Sequence, residues 1–233
     1  METAVAGETA VTGKTAVTGK TAVTEATAAP AQNSTGPVRA AWAETDPLLQ
    51  AYYDTEWGMP VTTEAGVFER MSLEAFQSGL SWLIILRKRE AFRQAFRQFD
   101  VREIAKFGDA EVAELMDNPG IVRNRGKILA TISNARATLA LHERGTTLAD
   151  IVWSAMPDTS PAPVTEAGVP SRSKESAQLA KELKRLGFSY VGPTTMYALM
   201  AALGIVDVHL ISSHRRGCSG LWQQDGTRAG EPS

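Results

Sequence analysis

Cysteine is nearly absent from this chain. Cys218 is the only one among 233 residues, which leaves no partner for an internal disulfide and too few thiolates for a Cys-based zinc cage. Long apolar runs are missing as well. Stretches such as Leu83 to Leu86 fall far short of the roughly 20 residues that a membrane-spanning helix needs, and no apolar signal segment follows Met1. A soluble, cytoplasmic protein with no membrane partner is the expectation. Neither sign of charge dominates: 24 Lys and Arg stand against 26 Asp and Glu, a net charge of −2, so any binding to a polyanion has to come from local basic patches. What is present is an ordinary globular composition, 43% hydrophobic and 21% charged, which excludes a chain disordered throughout, a collagen or a coiled-coil rod.

The first 36 residues lack Leu, Ile, Phe, Tyr and Trp and run in a six-residue period, ETAVAG, ETAVTG, KTAVTG, KTAVTE. Without large apolar groups such a segment cannot offset an ordering entropy of roughly 1–2 kcal/mol per residue. Residues 1–36 are therefore expected to be a disordered low-complexity arm. A β-helix built on the hexapeptides would need many more stacked turns than these repeats supply. With three Glu against two Lys, the arm has no electrostatic basis for binding DNA.

From Pro37 onward the pattern becomes helical. Asp46 followed by Pro47 is an N-cap with proline at the first helical position, opening a short helix through Tyr53. Val67, Phe68, Met71, Ala75 and Phe76 recur at helical spacing over 63–79, and Gly79 closes that run. Ser81 can cap a further helix, Asp100 with Glu103 fits a capping box, and Asp109 opens a short helix that stops before Asn118-Pro119-Gly120. Over 121–141, Ile121, Ile128, Ile132, Ala135 and Leu139 form one stripe, while Arg123, Asn124, Arg125, Lys127 and Arg136 fall largely elsewhere. A polar, proline-rich loop at 156–172 precedes a helix from about Ser173 to Leu186, and Pro193 opens another that ends near Gly204. The predicted fold is all-α over 37–217, with a loose tail at 218–233.

Leu186 to Pro193 joins two of these helices through a turn with Gly187 and Gly192 around apolar residues. Gly192 leaves room for close backbone approach, and the N–H groups that open the next helix sit beside Thr194 and Thr195. Such a site suits a phosphate, because helix N-termini attract anions and phosphate contacts fix register on a duplex without reading sequence. An ordinary helix–helix turn reads the same way. Lys181, Lys184 and Arg185, with the runs Arg87-Lys88-Arg89 and Arg123 to Lys127, would extend a basic patch, although solvated helix faces have this composition too.

Residues 42–82 hold three of the five tryptophans, Trp42, Trp57 and Trp82, together with Tyr52, Tyr53 and an acid, Glu74, in a mostly apolar segment. Flat rings plus one carboxylate suit an electron-poor heterocycle, since stacking is worth roughly 1–3 kcal/mol per base. The same residues also serve in an ordinary core, and Glu74 can pair with Arg70 one helical turn away.

Four segments carry a resemblance: WAETDPLLQAYYDTEWGMP (42–60), LEAFQSGLSWLIILRKRE (73–90), NPGIVRNRGKILATISNARA (118–137) and GFSYVGPTTMYALMAALG (187–204). In this order they resemble the DNA-3-methyladenine glycosylase I family, over roughly 42–210. The resemblance implies the all-helical helix-hairpin-helix glycosylase fold and monofunctional excision of N3-methyladenine from alkylated double-stranded DNA, with free 3-methyladenine as product and a monomer as the default state. It assigns Glu74, Tyr52 and Trp82 as base-pocket residues that carry catalysis, with Trp42 and Trp57 lining that region. Glu74 is expected to stay ionised and to accept hydrogen bonds from the flipped base. Gly187, Gly192, Thr194 and Thr195 are the expected DNA-binding positions.

The chain departs from the family in two places. The family's structural zinc is held by two Cys and two His, and those positions read Ala40, Tyr53, His209 and Ser213 here. One imidazole cannot close a tetrahedral site, so no zinc and no other cofactor is expected, with Tyr53 filling the gap or the ends left more mobile. Asp207 falls where related glycosylases of the superfamily carry an acid that stabilises the sugar cation or activates water. It stands as a possible catalytic acid, against the plainer role of capping a helix or bonding His209. Thr194 and Thr195 occupy the place of a Schiff-base lysine, so no lyase activity is expected. Alternatives are a related glycosylase with another lesion that uses Asp207, and a non-catalytic DNA-binding protein.

Overall fold

The computed structural model describes residues 36–230, so the expected arm, Gly36 apart, lies outside the described residues. Among these residues regular structure is helical, and pairing of extended backbone is limited to two isolated bridges. No helix among them is long and apolar enough to cross a membrane.

The N-terminal half follows its caps. The side chain of Asp46 accepts from Leu48 N at 2.8 Å and Pro47 supplies a fixed φ at the first helical position, opening α1 (Pro47–Thr55). Thr63 caps α2 (Glu64–Gln77), which ends at Ser78, and Gly79 at φ +83° turns the chain into α3 (Trp82–Ala95). Ser81 occupies the N-cap position of α3 but makes no side-chain cap bond. The expected capping box at Asp100 is likewise half made. Asp100 accepts from Arg102 N at 2.8 Å, but Glu103 turns to Lys106 at 2.6 Å, and the helix that results, α4 (Val101–Ile104), is a single turn.

After α5 (Asp109–Asp117) comes the longest element, α6 (Arg125–His142), capped by Asn124. It starts four residues later than the hydrophobic stripe suggests, because Ile121 is buried from the preceding turn rather than from the helix. Lys127 belongs to the core instead of a basic face. It is 7% exposed, and its Nζ donates to Phe76 O at 2.8 Å and Ser78 O at 2.6 Å, satisfying the carbonyls that end α2. Arg136 similarly donates to Ala105 O and Phe107 O.

The chain continues through α7 (Leu148–Trp153), a loop that includes a short 3-10 turn at Glu166–Gly168, α8 (Lys174–Arg185) and α9 (Pro193–Ala202). Helix α2 lies at the centre, packed against α3, α6, α7 and α9, and α8 packs on α9. Phe76, Phe92, Phe96 and Phe99 stack in one aromatic column beside it, all fully buried. Burial of each such ring stabilises the fold by roughly 1.5–3 kcal/mol.

The described part of the expected loose tail, 218–230, is packed. Trp222 is 2% exposed and donates from Nε1 to Gly204 O at 3.0 Å, while Ser160 N donates to Gly226 O at 2.8 Å. Gly226 sits at φ +86°, where a Cβ would lie 2.1 Å from Ser160 O, so only glycine fits. Arg228 reaches back to the carbonyls of Met156 and Pro157. A buried indole and a few hydrogen bonds to residues 156–160 and 204 hold a short polar segment that sequence composition reads as loose. Trp222→Ala is expected to lower stability by ~3 kcal/mol without altering helix content, checked by urea unfolding followed by circular dichroism.

Candidate active site

Five of the six aromatic and acidic residues singled out in the sequence, all but Tyr53, meet in one cavity of about 290 Å³. Tyr52 comes from α1, Glu74 from the middle of α2 and Trp82 from the first residue of α3, while Trp42 and Trp57 close one end. Trp42 meets Trp57 edge to face with centroids 5.3 Å apart, and Tyr52 leans on Trp82 at 5.5 Å and 49°. The floor and far wall are supplied by Gln77, by Thr194, Tyr197, Ala198 and Ala201 of α9, and by the loop at Val169–Ser171. The shape is a slot with aromatic walls and one acid, at the small end of ligand pockets.

Glu74 is 7% exposed and makes no side-chain hydrogen bond to any described residue. Its expected pairing with Arg70 as a simple surface couple does not occur. Arg70, 4% exposed, instead forms an ion pair with Glu56 and donates to the Tyr52 hydroxyl at 3.3 Å. Burial drives the Glu74 pKa up to about 7, with the positive charge of Arg70 opposing the rise. Burial thus works against the ionised form expected of this acid, and Arg70 works for it. Burial also raises the Tyr52 phenol beyond any physiological titration, so it stays a neutral donor.

Two lining residues, Gln77 and Tyr197, and one residue behind the wall, Arg70, escaped the sequence reading. Gln77 lies one turn from Glu74 on the same face of α2, and its Nε2 also holds Leu80 O at 3.1 Å. Tyr197 is buried in an apolar helix and could not be told from core by spacing, and its hydroxyl has no partner among described residues. Arg70 sits behind Tyr52 rather than in the lining.

Asp207 stands apart. It is absent from the pocket lining, 4% exposed and fully engaged: its carboxylate accepts from His209 N at 3.0 Å, His209 Nδ1 at 2.8 Å and Gly217 N at 2.7 Å. Burial raises its pKa, but these bonds and the nearby Arg216 outweigh burial and hold it below the usual carboxylate range. The plainer of its two expected roles, bonding His209, is the one the geometry displays.

The turn at 186–192 joins α8 and α9 with Phe188 and Val191 buried and Gly187 at φ +93°. Asn134 of α6 pins it, accepting from Ser189 N at 2.8 Å and donating to Ser189 O at 3.1 Å. Around the Cβ position of Gly192 the nearest protein atom is Thr195 Oγ1 at 4.0 Å, so the space outside is open. Thr194 is exposed and also lines the base-sized cavity, whereas Thr195, Gly187 and Gly192 do not. The basic runs contribute less than their composition suggests. Arg87 pairs with Asp46, Lys88 with Pro119 O, and Arg89 with Glu56 and Glu69, while Arg123 and Arg125 remain exposed beside the turn at the start of α6.

The zinc positions do not fit a metal. Ala40 offers no donor atom, Tyr53 Oη and Ser213 Oγ hydrogen-bond each other at 2.7 Å, and His209, whose Nδ1 bonds Asp207, leaves only its Nε2, one nitrogen where a closed site needs four ligands. Among the described residues no group of three or more His, Cys, Asp or Glu could hold a metal ion. The ends are instead joined by hydrogen bonds. Val38 O accepts from His214 N at 3.3 Å and Nδ1 at 2.9 Å, while Asp54 binds Arg39 through both carboxylate oxygens and His214 Nε2 at 3.1 Å.

Comparison with known proteins gives a consistent result. The family model described as methyladenine glycosylase matches residues 42–216. DNA-3-methyladenine glycosylase 1 of Escherichia coli strain K12 is 42% identical over 176 residues, covering 74% of this chain and 94% of that protein. A crystal structure of 3-methyladenine DNA glycosylase I superposes with a TM-score of 0.72 at 43% identity, over 74% of this chain and 96% of that one. A tyrosine-to-phenylalanine variant of 3-methyladenine DNA glycosylase I in complex with 3-methyladenine superposes at 0.69 and 29% identity, over 74% and 94%.

The Glu74 shift has a stability consequence of definite sign. With a folded pKa of about 7 against an ordinary 4.5, the native state binds more protons than the unfolded chain between those values. This group's contribution therefore falls as pH rises through the window, by about 3 kcal/mol in all. Glu74→Gln is expected to raise the melting temperature by several degrees at pH 8 and to leave it nearly unchanged at pH 4.5, measured by thermal denaturation at both.

Proposed function

The chain belongs to the methyladenine glycosylase family, and we propose that it is a DNA-3-methyladenine glycosylase that uses the Glu74 pocket to bind the extruded base. The observation that carries this is a desolvated, unbonded carboxylate set among indole and phenol rings in a base-sized slot. Such a site favours a flat ring bearing positive charge over neutral adenine, both through the carboxylate and through cation–π attraction to the ring faces.

Methylation at N3 puts a delocalised positive charge on adenine and weakens the bond to C1′. When that bond breaks, its electron pair goes to the base, which leaves neutral, and the sugar carbon takes up water and releases a proton to solvent. Little acid catalysis is needed, so the residues act by binding and orientation. Glu74 accepts hydrogen bonds from the base, Tyr52 and Trp82 pack around it, and Trp42 and Trp57 close the slot. A cationic base entering the pocket pulls Glu74 toward its ionised form, which recovers part of the cost of burying it.

The turn at Gly187–Gly192 with Thr194 and Thr195 holds a backbone phosphate, aided by Arg123 and Arg125, and fixes register without reading sequence. Asp207 is given a structural role. We further assign the enzyme to the cytoplasm, as a monomer acting on alkylated double-stranded DNA without a metal.

Incubated with methylated DNA, the purified protein is expected to release free 3-methyladenine, identified by chromatography, with release of another base or of none overturning the proposal. Glu74→Ala is expected to cut both excision and binding of the free base at least tenfold, in line with loss of a charge-assisted contact. Elemental analysis is expected to find far less than one zinc per chain, and a stoichiometric ion would contradict the metal-free assignment.

A further inference from the structure

Arg70 is a buried cation placed directly behind a pocket meant for a cation, and this conflict is what makes its surroundings informative. The guanidinium is 4% exposed, lies 5.7 Å from the centre of the Tyr52 ring, and forms an ion pair with Glu56. Glu56 in turn binds Arg89 at 2.5 Å, Arg89 binds Glu69 at 2.7 Å, and Glu69 binds Arg93 at 2.9 Å. The chain of alternating charges runs from the pocket wall to the surface along α1, α2 and α3. Glu56 is shared between Arg70 and Arg89, so it offsets the charge of Arg70 only in part, and the acid facing the slot is Glu74.

One contact of Arg70 has a directional consequence. Its Nη1 donates to the Tyr52 hydroxyl at 3.3 Å, so that oxygen is used as an acceptor and its own proton is left to point elsewhere. Tyr52 lines the slot, and the slot is where that proton can find an acceptor. We infer that Arg70 is the positioning residue of the base pocket: it fixes Tyr52 as a hydrogen-bond donor to the bound base and supplies the positive charge against which Glu74 is held as a carboxylate.

This inference rests on the pocket function proposed above. The titratable groups packed around Glu74 are Arg70 on α2, Tyr52 on α1, Glu56 just after α1, Arg89 on α3, Lys127 on α6 and Tyr197 on α9. Of these, Arg70 is the one whose charge opposes the effect of burial on Glu74. Lys127 spends its donors on the carbonyls of Phe76 and Ser78, and Arg89 is matched by Glu56 and Glu69.

The test is the pH dependence of free 3-methyladenine binding to the full-length protein, followed by quenching of the pocket tryptophans, together with base release from methylated DNA. The ligand's own titration is common to all variants, so differences in midpoint report on the protein. In Arg70→Met the acid-side midpoint of binding is expected to move up by about one pH unit, weakening affinity near pH 7 by up to roughly tenfold. Arg70→Lys is expected to return the midpoint to the wild-type value. Should Arg70→Met fail to fold, Glu56→Gln tests the same idea with opposite sign, since it leaves Arg70 uncompensated and should move the midpoint down. A wild-type midpoint in Arg70→Met, or in Glu56→Gln, would overturn the role of Arg70 while base release by the wild type kept the pocket function intact. Failure of the wild type itself to bind or release 3-methyladenine would overturn both.

Discussion

A carboxyl group removed from water and given no hydrogen bond is the constraint around which this molecule is organised. Glu74 sits on the central helix α2, buried, with its pKa raised to about 7 by desolvation. Nothing in the packing of a helical domain calls for an acid at that position, where a leucine or glutamine would stabilise the fold more. The aromatic walls of the slot bury the acid without bonding it, and so keep it ready for a ligand. A site of this kind trades stability for selectivity, as binding sites commonly do.

The rest of the domain limits the damage. Helix α2 is gripped on several sides, by Phe92 and Phe96 packed on its own Phe76, by Lys127 at its C-terminal carbonyls and by the ion network that joins its Arg70 to Glu56 and Arg89. The two ends of the domain are tied by hydrogen bonds that involve Tyr53, Ser213, Asp54 and His214. Each such bond is worth only about 1 kcal/mol, so a set of them, backed by the stacked rings of Tyr53 and Trp57, does what a single strong tie would otherwise do.

Much of this was legible in the sequence because it is local. Asp46-Pro47, the spacing in 63–79 and Gly79 set helices that the fold contains, and the clustered aromatics with Glu74 proved to share one cavity. What was not legible depends on partners distant in the chain. Lys127 reads as part of a basic run, yet its charge is spent on carbonyls about fifty residues earlier. Arg70 reads as the natural partner of Glu74 one turn away, but Glu56 on another helix takes it. Tyr197 has the spacing of a core residue because it is one, apart from a hydroxyl that finds no partner. The tail reads as loose because its anchors, Trp222, Gly226 and Arg228, meet partners distant in the chain, and composition averages over them.

Helix α6 has a consequence for the geometry of the domain. At one point along its length it holds the last carbonyls of α2 through Lys127, and two turns further it holds the α8–α9 turn through Asn134. Near its start the Tyr190 hydroxyl packs so closely that a Cβ at Gly126 would lie only 2.9 Å away. The turn proposed to hold a phosphate and the helix that carries Glu74 are thus bolted to one beam. A helix this well packed does not bend readily, so the separation between the α8–α9 turn and the end of α2 is held at one fixed length.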